Sequence, residues 1–126
     1  MRQGNQPVDQ QDGGASALAS SKRLRDPDIE KLFEAILCLE TVEDCYKFFE
    51  DICTVAEVRS LAQRLAVARM LDEGYTYTEI AGKTGASTAT ISRVKRFLLY
   101  GADGYKLIFE RLRRRGLMGD GRGRDK

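Results

Sequence analysis

The chain has 126 residues, the size of a single domain, and its shares of hydrophobic (42%) and charged (32%) residues are those of an ordinary globular protein. The net charge is only +2, so total charge does not indicate a polyanionic partner, although acidic residues concentrate between 26 and 57 and basic residues between 83 and 126. The sequence contains neither an apolar run long enough to span a bilayer nor a signal-peptide core. The composition therefore predicts a cytoplasmic protein without a membrane partner.

Few side chains in this sequence are suited to catalysis. The chain has no histidine, which removes the commonest general base near neutral pH, and no phosphate-binding loop or nucleophile elbow is recognisable. The three cysteines, Cys38, Cys45 and Cys53, do not form a zinc or disulfide pattern, and we expect buried, reduced side chains. We therefore expect no enzyme, no metal site and no cofactor. An enzyme would need perturbed carboxylates, and the candidates, which we expect to face solvent, are Glu40, Glu43, Asp44, Glu50 and Asp51.

The chain divides into three segments by composition. Residues 1–25, rich in Gln, Gly, Ser and Asp, predict a disordered N-terminal arm, and residues 116–126, rich in Gly and charge, predict a flexible basic tail. Residues 26–115 show helical apolar periodicity and no strand pattern. The fold class is therefore predicted to be all-α.

Capping residues mark the first helices. Asp26 and Pro27 suit the start of a helix that extends to about residue 39, and Thr41 suits the N-cap of a second helix. Both helices carry wide apolar faces that a lone short chain would struggle to cover, although an intramolecular core remains the alternative. The large residues on these faces are Phe33, Ile36, Phe48, Phe49 and Ile52.

Four further helices are predicted in the rest of the domain. Capping boxes at residues 54–57 and 76–79 open a long helix, followed by Gly74, and a short helix that Gly85 ends. Ser87 caps a helix that extends to about Tyr100, and a final helix starts at residue 103 or 104. Six helices joined by such short turns must fold back on one another.

Residues 78–97 (TEIAGKTGASTATISRVKRF) follow the plan of a helix-turn-helix. Gly85 permits the positive φ that a tight turn between two crossed helices requires, and the small Ala81 allows a close crossing. The residues predicted to face inward and fix the crossing angle are Ile80, Ile91, Val94 and Leu98.

The opposite face of the second helix is suited to the major groove of DNA. Short hydroxyl side chains and an alanine can approach base edges and thymine methyl groups, and the helix N-terminus can meet a phosphate. Surrounding basic residues, including the 113–115 run, would neutralise phosphates, although each single charge is also typical of a solvated surface. The predicted DNA-contacting residues are Lys83, Ser87, Thr88, Ala89, Thr90, Ser92, Arg93, Lys95 and Arg96.

From about Pro27 to Leu112 the chain resembles the Trp-repressor superfamily, in particular its YerC/YecD branch. The matching segments are CTVAEVRSLAQRLAVARMLDEGYTYTEIA and GASTATISRVKRFLLYG. The resemblance implies six helices that intertwine with a second copy, with the helix-turn-helix as the part that binds DNA. Such a homodimer would bind a palindromic operator with half-sites about one helical turn apart. The implied function is a sequence-specific transcriptional regulator of the repressor type.

The resemblance also implies a possible effector site. Trp repressor holds tryptophan between its long helix and its recognition helix with two arginines and backbone groups near the start of the long helix. Arg64 and Arg93 match the arginines, and Thr54 matches the helix start. Val94 stands where Trp repressor has a small residue that leaves room for the indole, so a different small effector, or none, is expected. The alternatives are that Arg64 pairs with Glu57 or another neighbour and that Arg93 contacts a phosphate.

A helix-turn-helix module that contacts other proteins of the transcription machinery, without sequence-specific DNA binding, would share every one of these local features. Substitution of Thr88, Ser92 and Arg96 separates the two interpretations, because it should abolish sequence-specific binding only if these residues face a base-pair edge.

Overall fold

A computed structural model describes residues 25–119, and the part of the chain it describes contains six α-helices and no strand. The helices are α1 (Pro27–Leu37), α2 (Val42–Ile52), α3 (Val55–Asp72), α4 (Tyr77–Thr84), α5 (Thr88–Tyr100) and α6 (Gly104–Arg114). The predicted all-α class and the number of helices are confirmed for this range. Most of the predicted N-terminal arm and tail lies outside the described residues. None of the helices described is long and apolar enough to cross a membrane.

The helix starts agree with the capping residues in the sequence. The Asp26 carboxylate accepts hydrogen bonds from the N–H groups of Asp28 (3.0 Å) and Ile29 (3.1 Å) at the start of α1. The two predicted capping boxes, at the starts of α3 and α4, are both present. Helix α1 ends two residues earlier than expected, because the N–H groups of Cys38 and Leu39 bond to carbonyls only three residues back, which closes the helix with a tighter turn.

The hydrophobic core lies entirely within residues 67–109. Helices α3, α4, α5 and α6 and the turn between α4 and α5 contribute all of its buried residues, and α3 and α5 make the most extensive packing. The buried residues are Val67, Ala68, Met70, Ile80, Ala86, Ile91, Val94, Leu98 and Phe109. Tyr105 stacks on Phe109 with ring centroids 6.0 Å apart, which extends the packing of α6. The second half of the domain therefore has a core of its own, while other large apolar side chains of α3, α5 and α6, among them Val55, Phe97 and Leu107, are exposed.

Helices α1 and α2 contain no buried residue within the single chain. Large apolar side chains stay in solvent, including Leu37 (83% exposed) and Val42 (74%). The cysteines are all free, but Cys38 and Cys45 are exposed in the single chain. The expectation of buried cysteines is wrong for these two residues, because no other helix of the described range covers their positions, and Cys53 is half-buried. The five acidic residues of the 40–51 segment lie in the same open region, and Asp44 among them is half-buried.

The C-terminal end of α6 is tied to α3. Arg113 forms an ion pair with Asp72, the last residue of α3, and its Nε donates to the Gly119 carbonyl at 2.7 Å. The N–H of Leu117 donates to the Leu112 carbonyl at 2.8 Å, so residues 116–119 turn back along α6. Arg113 thereby links two core helices.

Candidate nucleic-acid interface

The turn between α4 and α5 has the geometry that a helix-turn-helix requires. Gly85 ends α4 with φ +75°, in the left-handed region that glycine enters without strain, and its N–H donates to the Ala81 carbonyl at 2.9 Å. The Thr84 hydroxyl donates to the Ile80 carbonyl (2.7 Å) and accepts from the Ala86 N–H (3.1 Å). The turn is therefore bonded on both sides. We call residues 77–100 the reading head.

One face of the reading head is buried, as the sequence predicts. Ile80 and Ile91 are fully buried, and Val94 and Leu98 are nearly so. Ala81 is partly buried and packs against this core, in line with its predicted place at the helix crossing. Because these side chains repeat at helical spacing along α5, they fix which face of α5 points outward.

The opposite face of α5 is open to solvent. Its exposed residues are Thr88, Ala89, Ser92, Arg93, Lys95 and Arg96, and Ser87 and Lys83 are exposed beside them. The Ser87 hydroxyl is engaged as the N-cap, accepting the Thr90 N–H at 3.1 Å. Thr90 differs from the other predicted contacts: it is half-buried, its hydroxyl bonds to Ser87 (3.1 Å), and it lines a cavity on the inner side of α5. The structure thus brings seven of the nine predicted residues to the exposed side of the reading head, while Arg93 is exposed and also lines the same cavity as Thr90.

Among the basic residues considered for phosphate contacts, one lies near an aromatic ring and two form ion pairs within the chain. Lys95 Nζ lies 5.7 Å from the centre of the Tyr77 ring, a cation–π contact between α5 and α4 that positions the ammonium. Arg113 and Arg114, which the sequence suggested as phosphate ligands, form ion pairs with Asp72 and Glu110. The contribution of the 113–115 run is therefore smaller than expected, because two of its three charges are balanced within the chain.

A small cavity lies between α3 and α5, on the inner side of the reading head. Its volume is about 140 Å³, and it is lined by Ser60, Gln63, Arg64, Thr90, Arg93, Val94, Phe97 and Tyr105. Arg64 and Arg93 come to the same cavity, as the resemblance implies. Thr54 does not line this cavity. It caps α3 and lines a separate groove between α2 and the start of α3. The sequence analysis missed Tyr105, a residue of α6 whose approach depends on tertiary packing rather than on any local pattern.

Arg64 is bonded to a neighbouring residue of α3, one of the two alternatives that the sequence left open. Arg64 donates to the Ser60 hydroxyl (3.3 Å) rather than to Glu57, whose carboxylate accepts the Thr54 N–H (2.8 Å) in the capping box. Burial raises the pKa of Tyr105 above its ordinary value, and the positive charge of Arg64 opposes that rise. Tyr105 is therefore a neutral hydroxyl group over the physiological pH range.

The residues around the cavity do not fit tryptophan. A cavity of about 150 Å³ takes up a single benzene ring, whereas tryptophan carries a fused double ring and an amino-acid group. Val94 occupies the inner wall and is only 3% exposed, because it packs into the core. Admitting an indole would therefore require the core packing around Val94 to open.

Comparison with known proteins agrees with this architecture. Residues 27–113 match the family model described as Trp repressor protein. The chain is 56% identical over 91 residues to YerC of Bacillus subtilis (strain 168), an uncharacterized protein, and the match covers 72% of this chain and 88% of YerC.

Two proteins with known crystal structures are similar to this chain in sequence and fold. The structure of a TrpR-like protein from Eubacterium eligens ATCC 27750 is 54% identical with a TM-score of 0.72, covering 79% of this chain and 99% of that protein. A structure from Staphylococcus aureus is also 54% identical, with a TM-score of 0.70, covering 73% of this chain and 92% of that one. The family model spans most of the domain and the identities are high, and the chain therefore belongs to the Trp repressor family.

Proposed function

We propose that this protein is a transcriptional regulator that binds a specific double-stranded DNA sequence with the outer face of α5, and that it represses transcription by occupying its operator. The observation that carries the proposal is the two-sided α5, with Ile91 and Val94 buried and Thr88, Ser92 and Arg96 exposed. Membership of the Trp repressor family supports DNA binding by such a helix pair.

The exposed side chains suit the separate parts of DNA recognition. Thr88, Ala89 and Ser92 are short, so α5 can approach base edges and thymine methyl groups closely, and Arg96 can donate two hydrogen bonds to guanine. The exposed cations Lys83, Arg93 and Lys95 are placed to neutralise phosphates. Because each neutralised phosphate releases counterions, the logarithm of the affinity should fall with a slope of about −0.9 per phosphate against the logarithm of salt concentration.

We further propose that the functional unit is a homodimer in which a second copy covers α1 and α2. An apolar groove of about 820 Å³ lies open between α2 and the start of α3, lined by side chains that include Val42, Tyr46, Phe49 and Val55. Other large apolar side chains of α1 and α2 are also exposed, among them Leu37 and Ile52, and clusters of exposed apolar side chains often mark interaction sites. A two-fold axis between reading heads would make the operator a palindrome.

This function requires the compartment that holds the chromosome, which in bacteria such as those of the relatives is the cytoplasm. A non-enzymatic role accords with the family model, which is described as Trp repressor protein. The exposed polar residues of α5 are therefore proposed to bind DNA and not to catalyse a reaction.

Selection of bound fragments from a random duplex library at one fixed salt concentration tests recognition, symmetry and spacing together. We expect enrichment of a palindrome with half-sites about one helical turn apart, together with a dimer mass by sedimentation velocity. The variant Thr88→Ala/Ser92→Ala/Arg96→Ala should lose the enriched sequence. If no duplex is enriched even at low salt, the DNA-binding proposal is wrong and a protein-contact role takes its place.

A further inference from the structure

We infer that the reading head is held in its DNA-binding orientation by the protein's own side chains, so that operator binding needs neither tryptophan nor any other ligand in the α3–α5 cavity. This inference rests on the proposed function and concerns its regulation. A ligand can switch a DNA-binding head only if the head has two orientations and the ligand binds one of them better. The contacts between α3 and the reading head favour a single orientation.

The first contact is made by Val94. Its side chain lies on the inner face of α5, is 3% exposed, and packs into the core together with Ile91 and Leu98. It therefore fills from within the space that a wedged ligand would occupy between α3 and α5. Burial of an apolar side chain is favourable, and this packing is present whether or not a small molecule is.

The second contact is a hydrogen bond from α3 to the turn of the reading head. Gln63 Nε2 donates to the backbone carbonyl of Thr84 at 3.0 Å, and both residues are partly buried. Thr84 is the last residue of α4, so its carbonyl lies directly before the Gly85 hinge. Rotation of the head away from α3 would leave that carbonyl without its protein donor, which costs free energy at a partly buried site.

A third contact acts within the reading head. The Lys95 ammonium lies over the Tyr77 ring, which joins the exposed side of α5 to the first residue of α4. This contact adds to the packing of α4 on α5, and the Val94 and Gln63 contacts attach both helices to α3. The remaining cavity of about 140 Å³ is too small for tryptophan to replace them without repacking.

The test compares operator binding by the full chain as purified with binding after complete unfolding, exhaustive dialysis and refolding. Fluorescence anisotropy with the selected duplex should give affinities that agree within about twofold, and added L-tryptophan should change neither, because a ligand with no differential affinity shifts no equilibrium. Calorimetric titration with L-tryptophan should give no binding heat. Loss of more than about tenfold in affinity on stripping, restored by L-tryptophan or by the dialysed small molecules, would overturn the inference.

Two variants test the role of Val94 directly. Val94→Ala enlarges the cavity, while Leu98→Ala shortens a buried side chain one turn further along α5 that does not line it. We expect indole to raise the melting temperature of Val94→Ala and to leave Leu98→Ala and the wild type unchanged. Equal stabilisation of the wild type by indole would contradict the assignment. If neither the stripped nor the unstripped wild type binds any duplex, the proposed function itself fails, while the calorimetry still reports on the cavity.

Discussion

The two halves of the domain differ in what covers their apolar faces. Helices α3–α6 and the turn between α4 and α5 bury nine residues, whereas α1 and α2 bury none. Both halves contain helices capped by side chains, with Asp26 and Thr41 at the starts of α1 and α2 and Thr54 and Thr76 at the starts of α3 and α4, so capping does not distinguish them. The difference lies in packing: one half has a core of its own with further apolar side chains exposed, and the other has no buried residue and lines an apolar groove together with the start of α3.

This contrast indicates a division of labour. The half that closes on itself carries the hinge at Gly85 and the outer face of α5, so its geometry can be defined within one chain. The open half has the groove and the exposed Cys45 and Val42, which are suited to an interface. Under the proposed function, DNA recognition and dimer assembly use different helices, so substitutions should separate them.

The largest expected effect comes from Val42→Asp, which places a carboxylate in the groove. Val42 is the first residue of α2. A negative charge at a helix N-terminus interacts favourably with the helix dipole, so the substitution should not weaken α2 itself. A buried unpaired charge costs about 3–5 kcal/mol, so the dissociation constant of the dimer should rise by more than about 100-fold. Sedimentation velocity over a concentration series measures this change.

Lys47→Ala is the matched control for Val42→Asp. It changes the net charge by the same amount, on the same helix, at an exposed residue that does not line the groove. We expect it to leave the dimer intact. If Val42→Asp dimerises as tightly as Lys47→Ala does, the groove is not the interface between copies.

The second prediction uses the dissociated Val42→Asp protein as a background. Ile91→Ala removes a fully buried side chain from the closed half and should lower the free energy of unfolding by about 2–5 kcal/mol in that background. Tyr46→Ala, in the groove, should destabilise the wild-type dimer but add little to Val42→Asp, because the contact it removes is already lost. Urea unfolding measures both. Equal effects of Tyr46→Ala in the two backgrounds would mean that Tyr46 packs within its own chain.

The sequence predicted the closed half well because its signals are local. The capping boxes at Thr54 and Thr76 and the glycine hinge each act within about four residues, so their sequence spacing determines their geometry. The inward and outward faces of α5 follow from the helical period in the same way. These features were sufficient to predict the reading head.

The features that sequence reasoning missed all join distant parts of the chain. The hydrogen bond from Gln63 to Thr84 and the ion pair between Asp72 and Arg113 depend on how helices cross, which no periodicity encodes. Burial of the cysteines was expected from residue type alone, and it failed for Cys38 and Cys45 because burial depends on which helices cover a position, which residue type does not encode.

The third prediction concerns recognition by the closed half. Arg96→Ala should weaken operator binding by about 1–3 kcal/mol and relax specificity at one position of each half-site, because a bidentate contact to a base would be lost. Lys47→Ala removes the same charge from α2 and should leave both quantities unchanged. Binding to the operator and to a set of single-base variants at constant salt measures the effect. Uniform weakening across all sequences would assign Arg96 to a phosphate instead.

The fourth prediction compares two glycines at the end of α4. Gly85→Ala places a side chain at φ +75° and should lower the free energy of unfolding by about 1 kcal/mol. Gly82→Ala lies in the helix interior with no atom within 4 Å of the added Cβ and should raise it by about 0.5–1 kcal/mol. Urea denaturation measures the free energy of unfolding of both variants. If both substitutions change it in the same direction, the positive φ of Gly85 is not needed for the fold of the reading head.

The smallest effect should come from the open half, at the cap of α2. The backbone N–H of Glu40 donates to the Asp44 carboxylate at 3.0 Å, and this hydrogen bond lowers the pKa of Asp44 below its ordinary value of 3.8. A lowered folded-state pKa stabilises the protein above pH 3.8, and this contribution is lost as the pH falls through the folded-state value. Asp44→Asn should therefore be slightly less stable than the wild type at neutral pH, and the gap should close in acid.

The pH dependence of stability shows whether the effect of Asp44→Asn comes from the charged cap or from the loss of any negative charge on α2. Asp51→Asn removes the same charge from the last turn of α2, away from the Glu40 N–H. Thermal melts of the three proteins at neutral pH and below pH 3.8 should show a gap that narrows in acid only for Asp44→Asn. A gap that stays constant with pH would mean that Asp44 acts as a neutral hydrogen-bond acceptor. The start of α2 would then be held by the Thr41 hydroxyl, which accepts the Asp44 N–H at 3.0 Å, without help from the carboxylate charge.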